Sequence, residues 1–170
     1  FGGLDDLRAR LVRVLHPVSF LDDPTRIFRA CRYAARIAGK LDDGTAGLAR
    51  EAIEGGAFGS ISYFRKLTEL RKILGETRWY EALRLLESFS AFEAMGLTGR
   101  QGAVAAMDSF RRLHELNVKR CPELLFDLAL DIFFETLGAE EGEKRFRSFG
   151  YGKKVLRKIN ADLTSLREEA

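Results

Sequence analysis

Apolar residues recur along this chain at helical spacing and almost nowhere at the alternating spacing of a strand. Leu4, Leu7, Leu11, Val14 and Leu15 keep the period of an amphipathic helix that His16-Pro17 closes. Asp5 and Asp6 fall in its first turn, where the helix dipole favours negative charge. A second helix is predicted over 22–37, stopping at Gly39, and 41–45 reads as a loop into a shorter helix through Leu48 and Ile53. Gly55 and Gly56 break the pattern. Ser60 or Ser62 then caps a segment whose apolar positions are Phe64, Leu67, Leu70, Ile73 and Leu74, ending at Gly75. From Thr77, the residues Trp79, Ala82, Leu83, Leu85 and Leu86 define a further helix, followed by a short one around Phe89, Phe92 and Met95. Beyond the loose stretch 96–102 come 104–118 and a strongly apolar helix that starts at Cys121-Pro-Glu and runs through Phe134. With no convincing period-2 strand and no internal repeat, the pattern predicts an all-α fold.

The helix over 22–37 has two unlike sides. Pro24 suits the first helical position, because its φ is already helical and its missing N–H needs no partner there; Asp23 is then the natural N-cap. At about 100° per residue, Ile27, Phe28, Ala30, Cys31, Ala34, Ala35, Ile37 and Ala38 share one arc, and Arg26, Arg29, Arg32, Tyr33 and Arg36 occupy the other. A basic stripe of this kind is commonly a solvated face. Here no Asp or Glu lies between Arg26 and Arg36, so the guanidiniums lack i,i+4 relief within the helix. Such a cluster suits an external anion, and phosphate matches the guanidinium fork best.

Composition narrows the classes without choosing among them. The 170 residues are 46% hydrophobic and carry a formal charge of +3, enough for one sizeable helical core or two smaller ones. No run approaches the roughly 20 apolar residues of a membrane-spanning helix, and no export signal opens the chain, so a soluble, cytoplasmic protein is expected. Phe1-Gly-Gly, without an initiator methionine, is read as the start of a piece of a longer protein. Cys31 and Cys121 stand far apart and His16 has no ligand companion, so neither a disulfide framework nor a metal site is expected. Basic residues concentrate late in the chain, where Lys144, Arg145, Arg147, Lys153, Lys154 and Arg157 are interleaved with Phe146, Phe149 and Tyr151. That mixture suits phosphate contact with stacking, or equally a hairpin pinned by aromatics under solvated lysines.

Three motifs in order give the chain a resemblance. Gly2-Gly-Leu-Asp-Asp-Leu-Arg-Ala-Arg, Asp22-Asp-Pro-Thr-Arg continued by Arg29-Ala-Cys-Arg-Tyr, and Ser62-Tyr-Phe-Arg65 with Glu69, followed by Glu81-Ala-Leu-Arg-Leu-Leu, resemble the neck and body of the class II (bacterial-type) tRNA nucleotidyltransferase and poly(A) polymerase family. The resemblance is strongest over 2–86. It implies helical neck and body domains: 1–18 as the end of the catalytic head and a linking helix, 19–96 as the nucleotide-selecting neck and start of the body, and 97–170 as RNA-binding body and tail helices. It implies nucleotide binding by Asp22, Asp23, Arg26, Arg29 and Arg32, with Asp22 standing where the family usually has Glu. It further implies bracing of the neck by Arg65 and Glu69. Residues after about Gly96 match no motif of the family, and RNA binding by Arg36 and the six late basic residues is expected from their charge and setting.

The implied partners are a tRNA or other RNA 3′ end and ATP, with CTP as a second nucleotide. Magnesium is implied for the complete enzyme, held by an Asp-x-Asp pair on the head's β-sheet. This chain contains no Asp-x-Asp, so transferase activity of the fragment alone is not expected. Whether the whole enzyme adds CCA, A alone or poly(A) is left open. A non-enzymatic helical RNA-binding module is the rival reading.

The residue chemistry is compatible with the resemblance. A carboxylate only accepts hydrogen bonds and a guanidinium only donates them. Adenine and cytosine both present an amino donor beside a ring-nitrogen acceptor, whereas guanine and uracil present the reverse. A paired Asp23 and Arg26 would therefore admit A and C, at a cost to G and U of about 1–3 kcal/mol per unpaired group in a desolvated site.

Overall fold

Three of the predicted apolar arcs become helices of twelve residues each: α3 (Thr25–Arg36), α4 (Asp43–Glu54) and α5 (Tyr63–Leu74). The structure is a computed structural model that describes residues 2–96. The chain divides between Met95 and Gly96 into two units, Phe1–Met95 and Gly96–Ala170. The helices expected over 104–118 and from Cys121, and the basic cluster Lys144, Arg145, Arg147, Lys153, Lys154 and Arg157, lie outside the described residues. Shorter elements complete the order: α1 (Gly3–Arg8), β1 (Leu11–Val12), α2 (Ser19–Asp22), β2 (Lys40–Leu41), a 3-10 turn (Ala57–Ser60), α6 (Trp79–Glu87) and α7 (Ala91–Ala94). The fold is helical, as the periodicity predicts, with two strands of two residues each as its one β feature among the described residues.

Helix α3 is central because its apolar arc is made of residues that can be covered from more than one side. Ile27, Phe28, Cys31 and Ala34 are fully buried and Ala30 and Ala35 nearly so. Helices α5 and α6 pack against it, and β1 and β2 meet its C-terminal end. The small residues Ala30, Ala34 and Ala35 leave room for α6 to bring in Trp79, Ala82, Leu83 and Leu86, all buried. Phe28 stacks on Phe58 of the 3-10 turn at 5.2 Å between ring centroids. Burial pushes the Cys31 thiol well above its ordinary pKa, so it behaves as a small apolar side chain.

Capping follows the expected chemistry. Ser62 Oγ accepts from Arg65 N at 3.4 Å at the start of α5, and Asp42 Oδ1 accepts from Gly44 N and Thr45 N at 3.1 and 3.4 Å at the start of α4. Pro24 holds φ at −64° in the helical region at the head of α3.

Three expectations of the periodicity fail. The first helix ends at Arg8 and buries no residue, leaving Leu4, Leu7 and Leu15 exposed. The cause is a left-handed Arg10 (φ 55°), which turns the chain so that β1 can pair in parallel with β2, Leu11 beside Lys40 and Val12 beside Leu41. Lys40 N donates to Arg10 O at 3.0 Å, and a Cβ on Gly39 would lie 1.9 Å from that carbonyl oxygen. The pairing thus depends on glycine at position 39. The second failure is Phe64, assigned to the buried arc of α5 but 72% exposed. The third is Ala38, placed on the apolar arc of α3 but exposed, because the helix ends at Arg36 and Ala38 turns left-handed (φ 51°) to lead into β2.

Replacing Gly39 with alanine should force β1 and β2 apart, lowering stability by about 1–3 kcal/mol or more. Gly47→Ala on α4, where an added Cβ meets nothing within 4 Å, should be neutral or stabilise by up to about 1 kcal/mol. Urea unfolding of both variants checks the contrast.

Candidate functional site

The opening of α3 gathers four of the residues singled out in the sequence, because the chain changes direction there. Asp23 is extended (φ −147°) between α2 and the helical Pro24, which turns its carboxylate onto the first turn of α3. Its Oδ1 accepts from Thr25 N at 3.1 Å, from Thr25 Oγ1 at 2.7 Å and from Arg65 Nη2 at 3.1 Å. Among the described residues its Oδ2 accepts no hydrogen bond. Burial opposes ionisation of Asp23, but the Thr25 hydroxyl and amide and the Arg65 guanidinium outweigh it and hold the carboxyl below its ordinary value.

Arg26 is fixed from the other side. Its Nη1 donates to the Ser19 carbonyl at 3.0 Å and to Ser19 Oγ at 3.1 Å, and Asp22 Oδ2 lies 3.9 Å away. Its remaining N–H groups make no hydrogen bond among the described residues, and the side chain is 39% exposed. Asp23 and Arg26 therefore each present a restrained group with one hydrogen-bonding edge unused.

The rest of the stripe divides. Arg32 Nη1 donates to Glu76 Oε1 at 3.0 Å, while Arg36 gives Glu76 two N–H groups, Nε to Oε2 at 3.1 Å and Nη2 to Oε1. The Tyr33 ring lies 4.7 Å from the Arg32 guanidinium and 5.3 Å from that of Arg36. Arg29 is exposed and, with help from Arg32, lowers the pKa of the Tyr33 hydroxyl by hydrogen bonding to it. The lack of acidic relief within the helix is thus made good by Glu76, 40 and 44 residues further along. Arg36, then Arg32, hold the Glu76 carboxyl below its ordinary value against the opposing effect of burial.

Arg65 and Glu69 do not meet each other. Arg65 reaches Asp23, and Glu69 pairs with Lys72 at 2.6 Å, leaving Glu69 Oε2 buried without a partner among the described residues. Sequence reasoning missed Glu76, Ser19 and Thr25. Glu76 had no spacing signal, since only the fold brings it to α3. Thr25 could have been read as an Asx-type partner of Asp23 two residues before it. Among the described residues, no helix is long and apolar enough to cross a membrane.

The chain has clear relatives. It is 30% identical over 99% of its length to the A-adding tRNA nucleotidyltransferase of Aquifex aeolicus (strain VF5), of which it covers 22%. A solved tRNA nucleotidyltransferase complexed with a primer tRNA and an incoming ATP analogue superposes with a TM-score of 0.78 at 30% identity, over 99% of this chain and 52% of that one. The Thermotoga maritima CCA-adding enzyme complexed with tRNA gives a TM-score of 0.77 at 28% identity, over 97% of this chain and 41% of that one. The chain thus spans about a fifth of that A-adding relative and about half of those solved structures. No family model matches it.

The carboxylates set a pH dependence. A group whose folded pKa is depressed contributes stability above its unfolded value, and that contribution is lost as the pH falls through the folded value. For Glu76 and Asp23 the ordinary values are 4.5 and 3.8. The urea midpoint should therefore hold above about pH 5 and drop as acid is added toward about pH 3. Glu76→Gln should flatten that drop.

Proposed function

We propose, on the premise that this chain belongs to the bacterial-type tRNA nucleotidyltransferase family, that it is the nucleotide-selecting and RNA-binding helical part of an enzyme adding A, or C and A, to tRNA 3′ ends. The observation that carries the reading is the pair of unused edges at the head of α3: Asp23 Oδ2 as acceptor and the outer N–H groups of Arg26 as donors. Asp23 would receive the amino group of adenine or cytosine, and Arg26 would donate to the adjacent ring nitrogen. Guanine and uracil would then bring a carbonyl to the carboxylate and an N–H to the guanidinium, with like groups facing each other. The protein edge would serve as template in place of a nucleic-acid strand.

Around that pair, the reading assigns bracing to Arg65, through Asp23, and phosphate contact to the stripe beyond Arg26, where Arg29 carries no carboxylate partner among the described residues. ATP and CTP are the nucleotides that such an edge admits, and the tRNA acceptor end is the strand extended. The reading assigns the magnesium-binding carboxylates to a catalytic head outside these helices. The 170 residues alone are accordingly expected to incorporate no nucleotide, and any turnover by them would count against that assignment.

The Asp23 hydrogen bonds give the decisive variant. Three donors converge on Oδ1, so an asparagine at this position keeps its carbonyl there and places its NH₂ where Oδ2 stands. Asp23→Asn keeps the cap of α3 and turns the reading acceptor into a donor. In the complete enzyme, the preference for A and C over G and U should fall by about 1–3 kcal/mol, roughly 5- to 150-fold. Single-turnover incorporation of the four nucleotides measures it, and unchanged selectivity in Asp23→Asn and Arg26→Ala would sink the template role.

A further inference from the structure

Glu76 belongs to none of the motifs that carry the family resemblance, yet it receives two of the stripe's guanidiniums. It follows Gly75, the residue that ends α5, and its side chain is 17% exposed. Arg36 offers it a bidentate fork through Nε and Nη2. That edge of a guanidinium is the one that matches a phosphate, so a carboxylate seated on it stands in the place of the ligand. Arg36 is 51% exposed, and its edge would face solvent if the carboxylate were gone.

Arg32 differs. It is 12% exposed, with Nε buried and unpartnered among the described residues and its guanidinium against Tyr33. It is an internal tie between α3 and the turn after α5. Arg29 is exposed like Arg36 but, unlike Arg32 and Arg36, makes no ion pair among the described residues; it lies one turn before Tyr33 on the same face.

We propose that Glu76 is a built-in counter-anion that withholds Arg32 and Arg36 from phosphate and leaves Arg29, beside Tyr33, as the stripe's phosphate-facing guanidinium. This deepens, and rests on, the reading that α3 serves nucleotide or RNA. Each guanidinium that reaches a phosphate adds affinity through counterion release. By occupying two of three, Glu76 holds the face to a weak, reversible grip, which suits a polymer end that must shift after each addition. The phosphate could belong to the RNA backbone or to a nucleoside triphosphate, and titration with each separates them.

The 170-residue chain should be titrated with a tRNA transcript and, separately, with ATP over about 50–200 mM KCl, a range in which phosphate contacts dominate the salt dependence. Glu76→Gln, which keeps the size of the side chain and removes its charge, should bind more tightly. Its salt slope should steepen by about 0.7–0.9, equivalent to roughly threefold more affinity gained between 200 and 50 mM. Adding Arg36→Ala to Glu76→Gln should cancel that gain, and Arg29→Ala in the unaltered chain should lower the slope more than Arg36→Ala does.

A gain in the tRNA titration assigns the phosphate to RNA, and a gain with ATP assigns it to the nucleotide. Weaker or unchanged binding by Glu76→Gln with its helical circular dichroism intact overturns the proposal, as does a cost from Arg36→Ala equal to that from Arg29→Ala. If Glu76→Gln fails to fold, the comparison of Arg29→Ala with Arg36→Ala decides alone. Absence of salt-dependent binding of either ligand by the unaltered chain overturns the underlying reading and the proposal together, whereas binding without the Glu76 effects overturns only the proposal.

Discussion

The convergence of three donors on Asp23 Oδ1 is the contact on which the site depends. It caps α3, ties the start of that helix to α5 through Arg65, and sets the rotation of the carboxylate, so that one oxygen is committed and the other is left over. Each of these alone is ordinary: an Asx-type cap contributes about 1 kcal/mol and an exposed ion pair less. Their coincidence on one oxygen converts a structural cap into an oriented acceptor. A carboxylate that caps its own helix therefore still has a lone pair to offer, because capping uses Oδ1 only.

Charge on α3 is managed in the same way, by partners distant in sequence. Four arginines on one face would repel one another and oppose the packing of α3 against α5 and α6. Glu76 offsets two of them from the turn between α5 and α6, and Ser19 holds a third through uncharged oxygens. Because Arg32 and Glu76 are mostly shielded from solvent, neither could be removed singly without leaving a poorly solvated charge. The arrangement thus links the stability of the helical group to the electrostatics of its outer face.

The helices that depend on local signals were legible in the sequence. The apolar arc of α3, the Pro24 start, the Ser62 cap and the buried positions of α6 all follow from spacing and capping chemistry. What was not legible arises from long-range contact. The β1–β2 pair joins residues 29 apart through the close approach of Gly39 to Arg10, and nothing periodic announces it. Glu76 is likewise silent: a lone acidic residue after a helix-ending glycine looks like solvated punctuation. The motif positions Asp23, Arg26 and Arg65 were visible as a pattern, but their division into committed and unused atoms needed the fold.

On the proposed reading, that division is what lets a short helix opening discriminate between bases. An arginine free in solvent would lose rotamer freedom worth up to about 2 kcal/mol on binding, which would consume most of what one hydrogen bond contributes. Arg26 has already lost that freedom, because the Ser19 carbonyl and hydroxyl hold one of its nitrogens in the folded state. Asp22, exposed and 3.9 Å from Arg26, adds little energy at that distance. The restraint on Arg26 therefore comes from Ser19 of α2, through its carbonyl and its hydroxyl, and does not require Asp22. On that reading, discrimination would be set by whether a base edge matches two groups already in place, and the cost of a mismatch would fall on the wrong base.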